Sequence, residues 1–131
     1  MPITSKSFLT WSQELLLCND LSETDHRNIV SRSYYSAYHE TLHLADKNLS
    51  LGVSNMKGGS HIKLSDTLCS FICNDKERQA KIRRLGTRIH AMHALRVRAD
   101  YFLDECITNT EAMSQVKNVT SIFSIIESEI S

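Results

Sequence analysis

The chain has 131 residues, 15 basic and 15 acidic side chains and so no formal net charge, with 41% hydrophobic residues, four Gly and one Pro. That length suits one domain around one hydrophobic core, the hydrophobic fraction excludes a disordered chain, and no apolar run approaches the roughly 18 residues of a membrane-spanning helix. So few Gly and Pro exclude an all-β chain built on tight turns, MPITSKSFLT lacks the basic and apolar stretches of a secretory signal, and Cys18, Cys69, Cys73 and Cys106 form no C-x-x-C pair, which points to reduced thiols in a cytoplasmic protein.

Three- and four-residue apolar steps keep side chains on one helical face. Phe8, Trp11, Leu15 and Cys18 follow that rule and predict a first helix over about Ser5 to Cys18. Ser22-Glu-Thr-Asp25 has the form of a capping box. It should open a long helix to about Lys47, whose apolar face of Val30, Tyr34, Ala37, Tyr38, Leu42 and Ala45 is wide enough for a central position. Gly52, Gly58 and Gly59, with Ser54 and Asn55, mark a loop. A shorter helix is expected from His61 to Cys73 through Ile62, Leu64, Leu68, Phe71 and Ile72. A fourth, Asp75 to about Leu103, carries Ile82, Leu85, Ile89, Met92, Leu95, Ala99 and Phe102. The fifth, about Thr110 to Ile130, carries Ala112, Val116, Val119, Phe123, Ile126 and Ile130. The expected fold is a single all-α domain, an up-down bundle of four to five helices.

His39-Glu40-Thr41-Leu42-His43 is a literal H-E-x-x-H on a helix, which places two imidazoles on one face as zinc hydrolases do. Thr41 stands where those enzymes carry an apolar residue, and no downstream motif announces a third ligand. The favoured reading is a polar edge of the central helix, with no metal and no cofactor.

Charge is segregated along the chain. From Lys76 to Arg98, eight basic residues (Lys76, Arg78, Lys81, Arg83, Arg84, Arg88, Arg96 and Arg98) face one acid, Glu77, giving +7. A basic helix of this kind has the electrostatic footprint of a polyphosphate partner, and Lys81, Arg83, Arg84 and Arg98 are the expected RNA contacts; the alternative is a solvated face balanced by acidic neighbours. At about 100° per residue, Arg96 falls inside the apolar stripe, whereas Arg83 and Arg98 point away from it. A charge there needs a partner, and Asp100, at i+4, is the obvious one.

Arg32-Ser33-Tyr34-Tyr35-Ser36-Ala37-Tyr38-His39 in the second helix, Ser60-His61 opening the third and Leu95-Arg96-Val97-Arg98-Ala99-Asp100-Tyr101 late in the fourth resemble the HEPN family over residues 25–127. The resemblance implies a HEPN-like helical bundle that forms a homodimer, with the late-helix motifs of both subunits facing one cleft. Many members are metal-independent ribonucleases, often toxins paired with a small nucleotidyltransferase antitoxin, and others serve phage defence or bind nucleotides. Active members carry an Arg and, four to six residues later, a His, which supply a cation for the phosphate and a base for the ribose 2′-OH. Here the residue five after Arg96 is Tyr101, preceded by Asp100. A phenol with an ordinary pKa near 10 is ionised only about one part in a thousand at pH 7. Arg88 and His93 have the Arg-x-x-x-x-His spacing, as a reserve pair, but lie about 140° apart on one helix. The expected catalytic set is therefore Arg96, Tyr101 and Asp100 with Arg88 and His93. The tyrosines of the second helix are expected to pack in the core, and His61 to cap or pack. The other reading is a HEPN-like module that has lost its base and binds a protein, nucleotide or RNA.

Overall fold

In the computed structural model, which describes residues 3–130, five α-helices follow one another: α1 (Ser5–Leu16), α2 (Glu23–His43), α3 (Ser60–Cys69), α4 (Lys76–Tyr101) and α5 (Asn109–Ile125). No strand occurs among the described residues, and no helix is long and apolar enough to cross a membrane. The starts of the helices are written in side chains that satisfy free N–H groups. Ser22 Oγ accepts from the Asp25 amide at 3.1 Å while Asp25 accepts from the Ser22 amide at 2.9 Å, the predicted capping box. Asp75 caps α4 through the amides of Glu77 and Arg78, and Thr108 caps α5 with Glu111.

α2 is the central element. It packs against α1, α4 and α5, and Ile29, Val30, Ser31, Ser33, Tyr34, Ser36, Ala37, Tyr38 and Thr41 bury almost its whole circumference. Burying a serine there is tolerable because its hydroxyl bonds back to the helix: Ser33 Oγ donates to the Ile29 carbonyl at 2.7 Å. Beyond His43 the helix continues as a wider π turn over Leu44–Asn48. The loop that follows is anchored where Asp46 accepts from the Val53 amide at 2.6 Å, and Gly52 supplies a positive φ of 64° that other residues rarely adopt.

Two predicted faces differ from the observed ones. In α1 the buried residues are Leu9 and Ser12, whereas Trp11 is 43% exposed and Cys18 lies beyond the helix end. Ser12 Oγ donates to the Phe8 carbonyl at 2.9 Å, so a residue that hydropathy assigns to solvent is satisfied within α1 itself. α3 stops at Cys69, earlier than its apolar pattern implies, and Ile62 and Ile72 are exposed. Its chain is turned toward α4 by two side chains: Arg83 Nε donates to the Phe71 carbonyl at 2.8 Å, and Gln79 Oε1 accepts from the Cys73 amide at 3.0 Å. In α4, Ile82, Leu85, Ile89, Met92 and Ala99 are buried, while Phe102 lies past the helix end and is 44% exposed. In α5, Ala112, Val116, Val119, Phe123 and the following Ile126 are buried as expected; the side chain of Ile130 lies outside the described residues.

The C-terminal end of α4 is gripped from the start of α2. Arg27 Nη1 donates to the carbonyls of Ala99 at 2.8 Å and Arg98 at 3.3 Å, Nη2 reaches the carbonyls of Phe102 and Glu105, and Glu23 pairs with the same guanidinium at 2.8 Å. A cation on the last carbonyls of a helix both satisfies free acceptors and complements the helix dipole.

α3 and α4 form a hairpin whose close approach depends on Gly86. A Cβ there would stand 2.8 Å from the Cys69 amide nitrogen and 2.9 Å from both Cys69 Sγ and Leu68 Cβ. Alanine is the better helix former by about 1 kcal/mol, but backbone on the facing helix would have to retreat. Gly86→Ala is therefore expected to destabilise the protein by about 1–3 kcal/mol, read as a lower urea midpoint. A midpoint at or above wild type would show that the hairpin is not held at this spacing.

Candidate active site

Arg96 lies where α4 faces α2, and its side chain is 12% exposed. Three groups compensate its charge. Asp100 Oδ2 approaches Nε at 2.8 Å, an ion pair in which the N–H is not aligned for a directed hydrogen bond. Nη2 donates to Tyr35 Oη at 2.6 Å. The guanidinium carbon lies 5.2 Å from the ring centre of Tyr35 and 5.7 Å from that of Tyr101, both within cation–π range. Asp100 is itself fixed from α2, accepting from Ser31 Oγ at 3.2 Å. The expected Arg96/Asp100 pair is thus formed and tied to the central helix. Tyr101 is 66% exposed beside it.

One turn before Arg96, His93 turns inward. Its ring stacks on that of His61, with centres 4.9 Å apart and planes 13° from parallel. His61 comes from the first turn of α3, which the helix hairpin brings alongside α4. Its ring lies 4.4 Å from that of Tyr38, and its Nδ1 is 2.7 Å from Tyr34 Oη. Tyr34 also contacts His93, with ring centres 5.7 Å apart. The two histidines are half-buried and Tyr34 is fully buried. Because Tyr34 and Tyr38 are one turn apart on α2 they present a common face to the imidazoles, while Tyr35, about 100° round, reaches Arg96.

This environment sets the protonation states. Burial, reinforced by His93, Arg96 and His39, depresses the pKa of His61 to about 4. Burial, then the Arg96 charge and the neighbouring His90, lower that of His93. Burial, with Tyr38 next, pushes the Tyr34 phenol far above its ordinary value, so it stays protonated. At neutral pH the site holds two stacked, uncharged imidazoles, of which His93 lies one helical turn from a fixed guanidinium. Such a set can accept a proton and stabilise a neighbouring anion.

The other sequence candidates are distributed differently. Arg88 does not join His93: its Nη1 donates to Ser121 Oγ on α5 at 2.9 Å, on another side of α4. Arg98 is neutralised between Glu105 at 2.9 Å and Glu111 at 2.8 Å, which raise its pKa. Arg83 is occupied by the Phe71 carbonyl. These two arginines are held by the fold, Arg98 with its charge matched by acids and Arg83 on a neutral carbonyl, whereas Lys81 and Arg84 line a surface cleft with Arg88. In the H-E-x-x-H string, Glu40 accepts from Ser5 Oγ at 2.6 Å and His39 stacks on Tyr35. Among the described residues no group of three or more His, Cys, Asp or Glu is arranged to hold a metal ion.

His61 is the site residue that sequence reasoning undervalued. It does pack, but against His93, and it does not cap α3, whose N-cap is Gly59 with no side-chain bond. The available signal was a histidine opening a helix directly after Gly58-Gly59-Ser60. No family model matches the chain, and no curated protein or solved structure is significantly similar to it.

The depressed imidazole pKa values link the site to stability. An unfolded histidine takes up its proton near pH 6.5 and the folded one only near its lowered value, so the unfolded state binds more protons between these limits. The stabilising contribution is complete above about pH 6.5 and is lost as pH falls toward about 4, the folded value for His61. The melting temperature is expected to drop across this window in wild type and to drop less steeply in His61→Gln. Parallel profiles for the two proteins would show that His61 is not held neutral by the fold.

Proposed function

We propose that the protein is a metal-independent RNA endonuclease of the HEPN type, acting as a homodimeric toxin or defence effector. The observation that supports this most is the stacked, uncharged pair His61/His93 beside Arg96. The residue five beyond Arg96 is a tyrosine in place of a histidine, and the imidazoles that approach from α3 and from the preceding turn of α4 take over the missing role. In this reading one neutral imidazole removes the ribose 2′-OH proton. O2′ then attacks phosphorus, the P–O5′ bond breaks to leave a 2′,3′-cyclic phosphate, and the departing oxygen receives a proton from the conjugate imidazolium or water. Arg96 balances the charge that builds on the non-bridging oxygens. Tyr34, kept protonated by burial, positions His61 through Nδ1. A nucleotidyltransferase antitoxin is the partner class that the HEPN resemblance brings with it.

A second reading has its own support. Arg96 is already saturated by Asp100 and Tyr35, the arrangement of a structural cation in a module that binds RNA, a nucleotide or a protein without cutting.

Purified protein incubated with single-stranded RNA in EDTA is expected to cleave it, and Arg96→Ala, His61→Ala and His93→Ala are each expected to slow cleavage by about 100-fold or more. RNA that stays intact after prolonged incubation with wild type overturns the enzyme and leaves the binding module, as does an induced culture that shows no growth defect.

A further inference from the structure

α4 and α5 lie side by side but touch only sparsely, each being held chiefly by other helices. The seam between them is a groove formed by two clefts that share Arg88. One, of about 210 Å³, is lined by Lys81, Arg84, Leu85, Arg88 and Ile125. The other, of about 190 Å³, continues along α4 past Ala91, Met92 and Leu95, with Ser114, Gln115 and Asn118 on the α5 side. No lining residue of either cleft is acidic.

Three other cations of the helix are already held by the fold. Arg83, Arg96 and Arg98 are spent on a carbonyl or on carboxylates. Lys81 and Arg84 make no hydrogen bond or ion pair among the described residues, and Arg88 makes one neutral bond, to Ser121 Oγ, which steadies it across the groove. Positions 81, 84 and 88 fall in one row over about 10 Å of helix axis. A concave strip holding three uncompensated cations in a row, with neutral hydrogen-bonding groups opposite and Met92, Leu95 and Ile125 among its lining, fits a flexible polyanion that carries regularly spaced charges and flat apolar faces.

We infer that the α4–α5 groove binds the backbone of single-stranded RNA, with Lys81, Arg84 and Arg88 as phosphate contacts and Leu95 against the bases. The choice of RNA over another polyanion rests on the ribonuclease reading above. The groove lies on a different face of α4 from His93, so it serves as a track that holds flanking nucleotides rather than as part of the reacting centre.

The test measures binding apart from cleavage. A fluorescent 2′-O-methyl decanucleotide, which lacks the attacking hydroxyl, is titrated with the full chain by anisotropy in 50 to 200 mM KCl. With three phosphate contacts the slope of log affinity against log salt is expected near −2, about a 20-fold loss across this range. Arg84→Ala, at an exposed position with no bond to lose, is expected to reduce the magnitude of the slope by about 0.7 and Lys81→Ala with Arg84→Ala by about twice that. Lys57→Ala in the distant loop serves as the unchanged control. Wild-type affinity and slope in Arg84→Ala, or equally tight binding of poly-glutamate of matched charge, overturns the groove. Binding with the expected slopes but no cleavage of ordinary RNA leaves the groove standing and removes the ribonuclease; cleavage with groove variants that bind like wild type does the reverse.

Discussion

A positive charge that the helix period places inside the bundle governs the local architecture. An unpaired guanidinium at the position of Arg96 would cost several kcal/mol, so the surrounding helices must bring it an anion, an oxygen and polarisable rings. Asp100 comes from the same helix, but it is steadied by Ser31, and the phenol and ring of Tyr35 come from α2. Satisfying Arg96 therefore sets the register of α4 against the central helix. With that register set, His93 one turn earlier meets the face of Tyr34 and Tyr38, and the hairpin delivers His61 to the same place. The uncharged imidazole pair follows from how a nearby charge is accommodated.

The zero net charge of the sequence conceals two populations of basic residues. Periodicity separated Arg96 from the solvent-facing arginines correctly, since its angle within the apolar stripe is a local property of the helix. It could not separate Arg98 from Arg84, because the acids that occupy Arg98 come from the link after α4 and from α5. Part of the +7 of the basic segment is internal wiring, in Arg96 and Arg98, and three of the cations without an acid, Lys81, Arg84 and Arg88, lie in one row.

Legibility in the sequence tracked how local each cause is. The capping box at Ser22, the central position of α2 and the core stripes of α4 and α5 depend on residues within a few turns, and they were readable. The buried face of α1 was not, because Ser12 is made acceptable by a backbone carbonyl one turn back while Trp11 is left outside. His61 was obscured for the opposite reason. Its significance lies in Tyr34, 27 residues earlier, and in His93 on the next helix, a meeting that only the tertiary path of the chain creates.

The sparse contact between α4 and α5 has a dynamic consequence. Strong packing joins α1, α2 and α5 into one layer and α3 with α4 into another, and the two layers meet chiefly where α2 crosses α4, with Arg27 clasping one end. Cooperative opening units tend to follow such packing boundaries. The opening that these packing boundaries favour is thus a swing of the α3–α4 hairpin away from the remaining helices. Tyr34 and Tyr35 travel with one layer, and His61, His93 and Arg96 with the other, so the same motion that admits solvent to the imidazoles also parts them from their phenols.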